Sequence, residues 1–244
     1  MTFATLGLIE PLLRALETLG YQTPTPVQAQ AIPAVLAGRD LMAAAQTGTG
    51  KTAGFALPVL QRLMMEGPQV ASNSVRALVL VPTRELAEQV LQSFITYGQH
   101  LPLRSYAVYG GVSINPQMMK LRKGVDVLVA TPGRLPDLYR QNAVKFNQVQ
   151  TLVLDEADRM LDLGFANELE SVFRALPKKR QTLLFSATFS EAIRAMAGEM
   201  LNDPLSISVS PRNAAAKSVK QWLIPVDKKR KSELFLHLYQ AKRW

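Results

Sequence analysis

Short apolar runs alternate with longer segments of helical periodicity along most of this 244-residue chain. Most of the runs are apolar on both faces, which is typical of strands in a parallel sheet covered by helices on both sides. Seven strands are predicted, at residues 40–44, 77–81, 105–109, 125–130, 151–155, 182–186 and 205–209. The pattern therefore predicts an α/β fold with a mostly parallel central sheet.

The first 20 residues have a different pattern, with apolar positions at helical spacing and Glu10 and Glu17 among them. They predict one short amphipathic helix and lack the basic start and apolar block of a signal peptide. No apolar run approaches the roughly 20 residues needed to cross a bilayer. The chain has no cysteine, so neither disulfides nor a cysteine-ligated zinc site is available. We therefore expect a soluble, cytoplasmic protein without a membrane partner.

The formal charge of +9 is unevenly distributed along the chain. Residues 212–244 hold nine of the 28 basic residues but only two of the 19 acidic residues, so the rest of the chain is almost neutral. A basic run such as residues 228–231 is more often a solvated linker than a binding site, although it strengthens salt-dependent contact with phosphates. The length and apolar content indicate one substantial core.

A glycine-containing segment follows the first predicted strand and precedes a helical pattern. It reads Ala45-Gln46-Thr47-Gly48-Thr49-Gly50-Lys51-Thr52. Glycines let such a loop turn tightly and direct its N–H groups at phosphates, while the lysine reaches the β- and γ-phosphates and the Thr52 hydroxyl ligates Mg²⁺. Phosphate-binding loops generally begin with glycine, and Ala45 departs from that pattern. The segment predicts a nucleoside triphosphate site at a helix N-terminus.

Two adjacent acids, Asp155 and Glu156, end the fifth predicted strand. Asp155 is suited to hold Mg²⁺ directly or through water, and Glu156 is suited to orient or deprotonate the attacking water. An isolated Asp-Glu pair is more often a solvated junction between a strand and a loop. Together with the lysine-bearing loop, the pair predicts an ATPase in which Lys51, Asp155 and Glu156 are catalytic. Thr52 and Asp155 are the predicted magnesium ligands.

Several motifs, in the same order along the chain, resemble those of DEAD-box ATP-dependent RNA helicases, and among these the bacterial RhlE type. Besides the two segments above, they are residues 20–28 (GYQTPTPVQ), 82–87 (PTRELA), 110–111 (GG), 131–134 (TPGR) and 186–188 (SAT). The resemblance extends from about residue 3 to about residue 209, and Ala45 fits it because this family commonly has alanine there. It implies a RecA-like P-loop domain, with ATP and Mg²⁺ as cofactors and RNA as a partner.

For the nucleotide, the resemblance implies that Gln28 recognises the N6 and N7 edge of adenine. An amide presents both a donor and an acceptor to that edge. Phe3 and Tyr21 would pack against the base or position the glutamine, and the whole segment 45–52 would contact ATP. The alternative is that Phe3 and Tyr21 are ordinary residues at the margin of the core and that Gln28 merely starts a surface helix.

For RNA, the resemblance implies contacts with the sugar-phosphate backbone, which do not discriminate sequence. The implied residues are Pro82, Thr83, Arg84, Gly111, Thr131, Gly133 and Arg134. Two alternatives stay open, because Arg84 can instead pair with Glu85 or Glu88 and the glycine doublet can be only a turn. No surface aromatics are interleaved with these motifs, which disfavours base stacking as the main mode of binding.

The hydroxyls of Ser186 and Thr188 are implied, by the resemblance alone, to bridge toward Asp158 and to couple nucleotide state to strand separation. The alternative is that this segment only caps the following helix. Pro136 departs from the aliphatic residue usual in the family, but proline is tolerated in the first turn of a helix. His100 and His237 have no partners at metal-ligand spacing and are predicted to lie on the surface.

The division that follows has three parts: residues 1–30 with the Gln28 motif, residues 31–210 as the ATP-binding domain, and residues 211–244 as a basic linker. The linker ends in what resembles the start of a helix leading into the family's second lobe. That lobe is expected to be absent, and with it an arginine that can be worth on the order of 10³ to 10⁵ in rate. The chain alone is therefore expected to bind ATP or ADP weakly, to hydrolyse little ATP and to unwind nothing.

The intact protein is expected to separate short RNA duplexes or to remodel RNA–protein complexes. Two other classes stay open. One is a non-catalytic module that binds RNA or protein and has a vestigial nucleotide site, and the other is a RecA-like motor directed at DNA, which lacks the RNA 2′-hydroxyl. Partners in ribosome assembly or RNA decay are not determined by the sequence.

Overall fold

The computed structural model describes residues 1–45, 48–66, 69–208 and 223–242. Within these ranges the strands are β1 (Leu41–Ala44), β2 (Val75–Leu80), β3 (Ser105–Val108), β4 (Val125–Ala130), β5 (Thr151–Leu154), β6 (Gln181–Ser186) and β7 (Leu205–Ser208). The α-helices are α1 (Glu10–Thr18), α2 (Pro26–Leu36), α3 (Lys51–Met65), α4 (Arg84–Tyr97), α5 (Ile114–Leu121), α6 (Leu135–Arg140), α7 (Ala157–Asp162), α8 (Ala166–Ala175), α9 (Glu191–Met200) and α10 (Lys231–Lys242).

The strands form one seven-stranded sheet in the order β3-β4-β2-β5-β6-β1-β7, and every pair in it is parallel. All seven strands predicted from the sequence are present, with ends that differ by at most two residues; residue 209 lies outside the described chain. The prediction of an α/β fold with a parallel sheet is confirmed. Parallel strands share a direction, so all of their carboxyl ends meet at one edge of the sheet.

The prediction of a single helix over the first 20 residues is wrong. A 3₁₀ turn at Phe3–Leu6 is followed by α1, which begins only at Glu10. Gly7 separates them because it takes a left-handed φ of 84°, which ends the first turn. Ile9 is extended, as expected close to a proline at the start of a helix.

Each face of the sheet is covered by its own hydrophobic cluster. Alternate side chains of a strand point to opposite faces, so in β2 Val79 joins one cluster and Leu78 the other. The first cluster receives residues from α1 to α4, such as Phe55 of α3, and the second receives residues from α5 to α9, such as Leu138 of α6. The sheet is thereby held rigidly between two layers of helices, which fixes the positions of the loops at its carboxyl edge.

Contacts divide the chain into two units, Met1–Ser210 and Pro211–Trp244. The described part of the second unit contains a 3₁₀ turn at Lys228–Arg230 and then α10. Among the described residues, no helix combines the length and the apolar character that crossing a membrane requires. His100 and His237 are both exposed, as predicted.

Candidate functional site

The carboxyl edge of the sheet collects the motifs that follow strands, and the strand order sorts these motifs into two groups. The motif at residues 20–28 precedes β1 and is linked to this edge by the hydrogen bond from Gln28 to Gly50. The segments after β5, β6 and β1, which are neighbours in the sheet, carry Asp155, Ser186 and Lys51. The segments after β3, β4 and β2, which are also neighbours, carry Gly111, Arg134 and Arg84. The motifs predicted for ATP therefore occupy one half of the edge and those predicted for RNA the other half.

The predicted phosphate loop leads directly into α3. Gly48 and Gly50 take left-handed φ values of 82° and 83°, which residues with a side chain rarely adopt. A Cβ atom at Gly50 would also overlap the Gln28 side chain, so this position needs glycine on two grounds. The backbone N–H of Ala45 donates to the Ser186 carbonyl, which fixes the start of the loop. The predicted contacts at Gln46 and Thr47 lie outside the described residues.

Lys51 and Asp155 form a buried ion pair between the first turn of α3 and the end of β5. The Lys51 Nζ lies 3.3 Å from Asp155 Oδ1, and the side chains are only 6% and 3% exposed. Burial raises the pKa of the Asp155 carboxyl above its ordinary value, and the Lys51 charge partly opposes that rise. Despite the ion pair, Asp155 Oδ1 has no hydrogen bond of good geometry within the described chain. The Asp155 carboxylate is thus a buried acceptor with an oxygen that can accept a further hydrogen bond or ligate a cation.

This arrangement fits a magnesium ion held together with a phosphate. Mg²⁺ prefers oxygen ligands, and it is usually bound through one or two carboxylates plus substrate phosphates and water. The underused oxygen of Asp155 meets that need, and Thr52, partly buried in the first turn of α3, adds a hydroxyl close by in sequence to Lys51. Among the described residues, no group of three or more His, Cys, Asp or Glu side chains forms a metal cage. Asp155 and Thr52 are thus the two residues here that could contribute oxygen ligands to a metal.

Glu156 occupies a strained backbone position immediately after the pair. Its φ of 56° and ψ of 51° lie in the left-handed region, which a non-glycine residue adopts at a cost of about 1 kcal/mol or more. Arg159 approaches its carboxylate at 3.8 Å from the exposed side. Since α7 starts directly after Glu156, the strained residue is the point at which the chain turns from β5 into that helix. Its carboxylate is placed beside Asp155 without being part of the Lys51 pair.

Ser186, Thr188 and Asp158 are joined as the resemblance implied. Both the backbone N–H and the hydroxyl of Thr188 donate to Asp158 Oδ2, at 2.9 Å each. The Ser186 hydroxyl donates to the Thr188 carbonyl at 2.7 Å and accepts from the backbone N–H of Asp158 at 3.3 Å. The capping alternative does not hold, because the side chain that caps α9 is that of Ser190. The end of β6 is thereby tied to the start of α7.

Gln28 is buried and links the N-terminal region to the phosphate loop. Its side-chain oxygen accepts from the Thr25 N–H at 2.9 Å and its Nε2 donates to the Gly50 carbonyl at 3.0 Å. It therefore does more than start a surface helix, and that part of the alternative fails. These two bonds use one donor and one acceptor of the amide, so one of each remains for a base.

The two aromatic residues predicted near the base stack on each other. The ring centroids of Phe3 and Tyr21 are 6.4 Å apart, and the Tyr21 hydroxyl lies 3.5 Å from that of Tyr97. Phe3 is buried whereas Tyr21 is 43% exposed. Burial is the main cause that raises the pKa of the Tyr97 hydroxyl. Tyr21 thus presents an open ring beside the segment that carries Gln28.

The residues predicted for RNA differ widely in exposure. Arg84 and Gly133 are exposed, Thr83 is partly buried, and Gly111 is exposed with a left-handed φ of 77°. Pro82, Thr131 and Arg134 are buried. The backbone amide and hydroxyl chemistry of such a surface suits the sugar-phosphate backbone better than base edges.

Arg134 and Thr83 have structural partners of their own. Arg134 Nη2 donates to the Val112 carbonyl at 2.7 Å, which ties the loop after β4 to the loop after β3. Its Nη1 is buried and has no hydrogen bond in the described chain. Thr83 caps α4 by accepting from the Leu86 N–H at 3.2 Å. Both side chains hold the surface together in addition to any contact with a ligand.

Arg84 does not take the carboxylate partners that the sequence left open. Among the described residues it forms no ion pair with Glu85 or Glu88; instead its guanidinium lies over the Tyr109 ring, 5.1 Å from the centroid. The Tyr109 hydroxyl donates to Glu88 at 2.5 Å, and this hydrogen bond is the main cause that raises the pKa of Tyr109. The ring is thus held in place under the arginine.

Comparison with known proteins decides the family. A model described as DEAD/DEAH box helicase matches residues 25–196. This chain belongs to the DEAD/DEAH box helicase family. It is 39% identical over 237 residues to the DEAD-box ATP-dependent RNA helicase CshA of Bacillus cereus. The matched stretch covers 97% of this chain and 44% of CshA. The chain is also 39% identical over 241 residues to RhpA of Helicobacter pylori, and 47% identical over 211 residues to DEAD-box ATP-dependent RNA helicase 28 of Arabidopsis thaliana.

The chain spans less than half the length of these relatives, with 48% of RhpA and 26% of the Arabidopsis helicase covered. Family membership and the RecA-like fold are therefore established for this stretch. The closer resemblance to the RhlE type stays a prediction.

The sequence analysis missed the role of Tyr109, which follows β3 and precedes the glycine doublet. The spacing of Arg84 and Glu88 on α4 was visible, but it indicated a direct ion pair. Only the fold shows that the aromatic ring of Tyr109 contacts both residues. No signal along the chain places residues 84 and 109 together.

Proposed function

We propose that this chain is the ATP-hydrolysing lobe of an ATP-dependent RNA helicase. In this proposal the half of the carboxyl edge formed after β5, β6 and β1 binds ATP with Mg²⁺, and the other half binds the backbone of one RNA strand. The observation that carries the proposal is the buried pairing of Lys51 with Asp155 at 3.3 Å. A buried lysine and carboxylate beside a glycine-rich helix N-terminus are what a magnesium–nucleotide site requires.

In this proposal Lys51 would exchange its ion pair with Asp155 for contacts with the β- and γ-phosphates. The Asp155 carboxylate and the Thr52 hydroxyl are the groups that would hold the metal. When bound, Mg²⁺ neutralises charge that develops on the phosphate oxygens. Glu156 then orients or deprotonates the attacking water, and its fixed backbone geometry aims the carboxylate. Gln28, with Phe3 and Tyr21, selects adenine while also bracing the loop at Gly50.

The RNA site uses small residues and two arginines. Gly111 and Gly133 let the RNA backbone approach closely, and Arg84 supplies a charge-assisted bond to phosphate. Pro82, Thr83 and Thr131 line the approach, and Arg134 contributes its unpartnered Nη1 as well as its bond to the loop after β3. The hydrogen-bonded group of Asp158, Ser186 and Thr188 couples the state of the nucleotide to separation of the RNA strands.

The activity of the chain alone is proposed to be weak. The relatives carry more than half of their length outside the matched stretch, and the family resemblance assigns a transition-state arginine to a second lobe. Without a charge of this kind, turnover falls by on the order of 10³ or more. The chain alone therefore binds ATP or ADP weakly, hydrolyses ATP slowly and unwinds no duplex.

The experiment is ATP hydrolysis by the 244-residue chain, with and without single-stranded RNA, beside a Glu156→Gln variant. Slow turnover that Glu156→Gln abolishes supports the proposal. Brisk turnover stimulated by RNA would show that the site needs no second lobe. If ADP does not bind and Glu156→Gln equals the parent in every assay, the chain is instead a binding module. If single-stranded DNA of the same sequence stimulates ATP hydrolysis as strongly as the RNA does, a DNA-directed motor is favoured.

A further inference from the structure

The amino-terminal edge of the sheet, opposite the proposed ATP and RNA sites, carries a row of exposed positive charges. Each lies just before a strand or beside its start: Arg104 before β3, Arg122 and Lys123 before β4, and Lys178 and Lys179 before β6. Lys145 lies between them, paired with residue 74 in an isolated parallel bridge at the start of β2. All six side chains are exposed.

Backbone hydrogen bonds between the segments that precede neighbouring strands place these residues along the amino-terminal edge of the sheet. The Arg104 carbonyl accepts from the Asp126 N–H, the Asn73 carbonyl accepts from the Lys145 N–H at 2.7 Å, and Gln181 N donates to Gln150 O. Strands in a sheet lie about 4.8 Å apart, so the four spacings from β3 to β6 give a row about 19 Å long. We call these six residues the amino-edge row.

The charges of the amino-edge row are free of carboxylate partners. Within the described chain none of the six forms an ion pair, whereas helix arginines such as Arg62, Arg140 and Arg174 each pair with an acid one turn away. The two buried acids at this edge are used internally: Asp126 is buried against Arg76, and Asp40 accepts from the backbone N–H groups of Thr182 and Asn202. The exposed Asp203 precedes β7, which lies beyond β1 from the row. Free charges of one sign raise the local potential.

A polar cavity lies in the middle of the row. It has a volume of about 280 Å³ and is lined by Arg76, Asn147, Gln148, Gln150 and Lys179, with Val149 and Pro177. Arg76 is 4% exposed, and its Nε is buried without a hydrogen-bond partner in the described chain. The amides on the wall provide donors and acceptors for hydroxyl and phosphate oxygens.

We propose that the amino-edge row binds the sugar-phosphate backbone of a second RNA segment, separate from the strand at the carboxyl edge. The proposal rests on the proposed function, since it assumes that RNA is the physiological polyanion. RNA suits the row better than an anionic membrane does. The residues interleaved with the charges are small or polar, such as Gly124, Asn147 and Gln148, whereas membrane-surface segments insert large apolar side chains.

Binding of this kind is independent of sequence and sensitive to salt, because it releases counterions from phosphates. A second contact on the same RNA raises the effective concentration of its other segment at the carboxyl edge. The amino-edge row is therefore a tether: it contributes to affinity for RNA but takes no part in the chemical step.

The test is RNA binding by the full 244-residue chain and by a variant with Arg122→Gln, Lys123→Gln, Lys178→Gln and Lys179→Gln. Affinity for a single-stranded RNA of about 30 nucleotides is measured by fluorescence anisotropy over a range of salt concentrations. Each lost phosphate contact lowers the log–log salt slope by about 0.7 on a single strand. We expect a slope lower by about 2 to 3 and an affinity at least tenfold weaker at low salt, with unchanged ATP hydrolysis. All four side chains are exposed, so the fold is expected to persist, which circular dichroism verifies.

The matched control replaces Lys228, Lys229, Arg230 and Lys231 with Gln, which removes the same number and kinds of charge from the 3₁₀ turn and the first residue of α10. An equal loss in both variants would show that net charge alone governs binding and would overturn the proposal. Unchanged affinity and slope in the first variant would overturn it as well. Loss of binding to phosphatidylserine vesicles with RNA binding intact would assign the row to a membrane. Failure of the parent chain to bind RNA at all would overturn the proposed function too, whereas RNA binding that responds only to Arg84→Ala overturns the tether alone.

Discussion

The guanidinium of Arg84 lies over the ring of Tyr109, whose hydroxyl is anchored to Glu88 on the same helix as the arginine. The ring thus acts as a platform that keeps an exposed, flexible side chain over one place on the surface. An arginine held in this way loses less conformational entropy when it binds a phosphate.

Removing the platform is expected to weaken RNA binding without touching any phosphate contact directly. Tyr109→Ala should lower RNA affinity by about twofold to fivefold, which corresponds to the roughly 0.5–1 kcal/mol of an exposed cation–π contact. Tyr109→Phe keeps the ring under Arg84 but removes the hydroxyl bond to Glu88, so its RNA affinity should lie between those of the parent and of Tyr109→Ala. A double-mutant cycle with Arg84→Ala, measured by anisotropy, tests the link. If the two losses simply add, Tyr109 does not act through Arg84.

Removing the cation of the buried pair is expected to make stability depend on pH. In Lys51→Met, the Asp155 carboxyl loses the charge that opposes its burial, so its pKa rises further above the unfolded value. For an acid with a raised folded pKa, stability is lost as pH rises through that pKa. Breaking the pair should cost about 3–5 kcal/mol at pH 7, and part of this loss should return on acidification.

Urea denaturation of Lys51→Met and of the parent at several pH values between 5 and 8 measures this difference. The double variant Lys51→Met with Asp155→Asn has no carboxyl to titrate at this position, and its difference from the parent should not change with pH in that way. A deficit in Lys51→Met that stays constant with pH would contradict the assignment to Asp155.

Gln28 is expected to support the phosphate loop as well as the base. Gln28→Glu keeps an acceptor for the Thr25 N–H but sets a carboxylate against the Gly50 carbonyl. Loss of a hydrogen bond worth about 0.5–1.5 kcal/mol should weaken ADP binding by about twofold to tenfold. The ratio of the affinity for ADP to the affinity for GDP should also be smaller in Gln28→Glu than in the parent. Isothermal titration calorimetry checks both, and Gln30→Glu on the exposed side of α2 is the matched control.

The bonds between Thr188 and Asp158 are expected to be worth a measurable part of the stability of the carboxyl edge. Thr188→Val removes the hydroxyl bond and keeps the bond from the backbone N–H, so we expect a loss of about 1 kcal/mol. Asp158→Ala removes the acceptor of both and should cost more. Chemical denaturation of the two variants gives the order, and a larger loss in Thr188→Val would reverse our assignment of the two bonds.

The sequence predicted the strands well because most of them are apolar on both faces, a pattern typical of a sheet that helices cover on both sides. Most of the motifs share one edge because they follow strands that run in parallel. The sequence did not predict which motifs are neighbours. That depends on the order β3-β4-β2-β5-β6-β1-β7, which is set by the crossover helices and not by any local signal.

The sequence analysis failed for two different reasons. The separate 3₁₀ turn before α1 depends on a local backbone conformation, the left-handed φ of Gly7. The contact of Arg84 depends on a residue distant in sequence, Tyr109, which follows β3. When charges are summed along the sequence, the chain outside residues 212–244 has a net charge close to zero. In the fold, helix acids neutralise helix arginines, and the charges that precede the strands gather at the opposite edge.

The two halves of the carboxyl edge meet between β2 and β5, where the Asp155 N–H donates to the Leu80 carbonyl at 2.9 Å. Leu80 is the last residue of β2 and is followed two residues later by Pro82, while Asp155 opens the acidic motif. Under the proposed function, the turn that would contact RNA and the aspartate that would hold the metal are thus joined by one backbone hydrogen bond between neighbouring strands. A displacement of that turn on RNA binding would be transmitted to the backbone of Asp155 without an intervening helix.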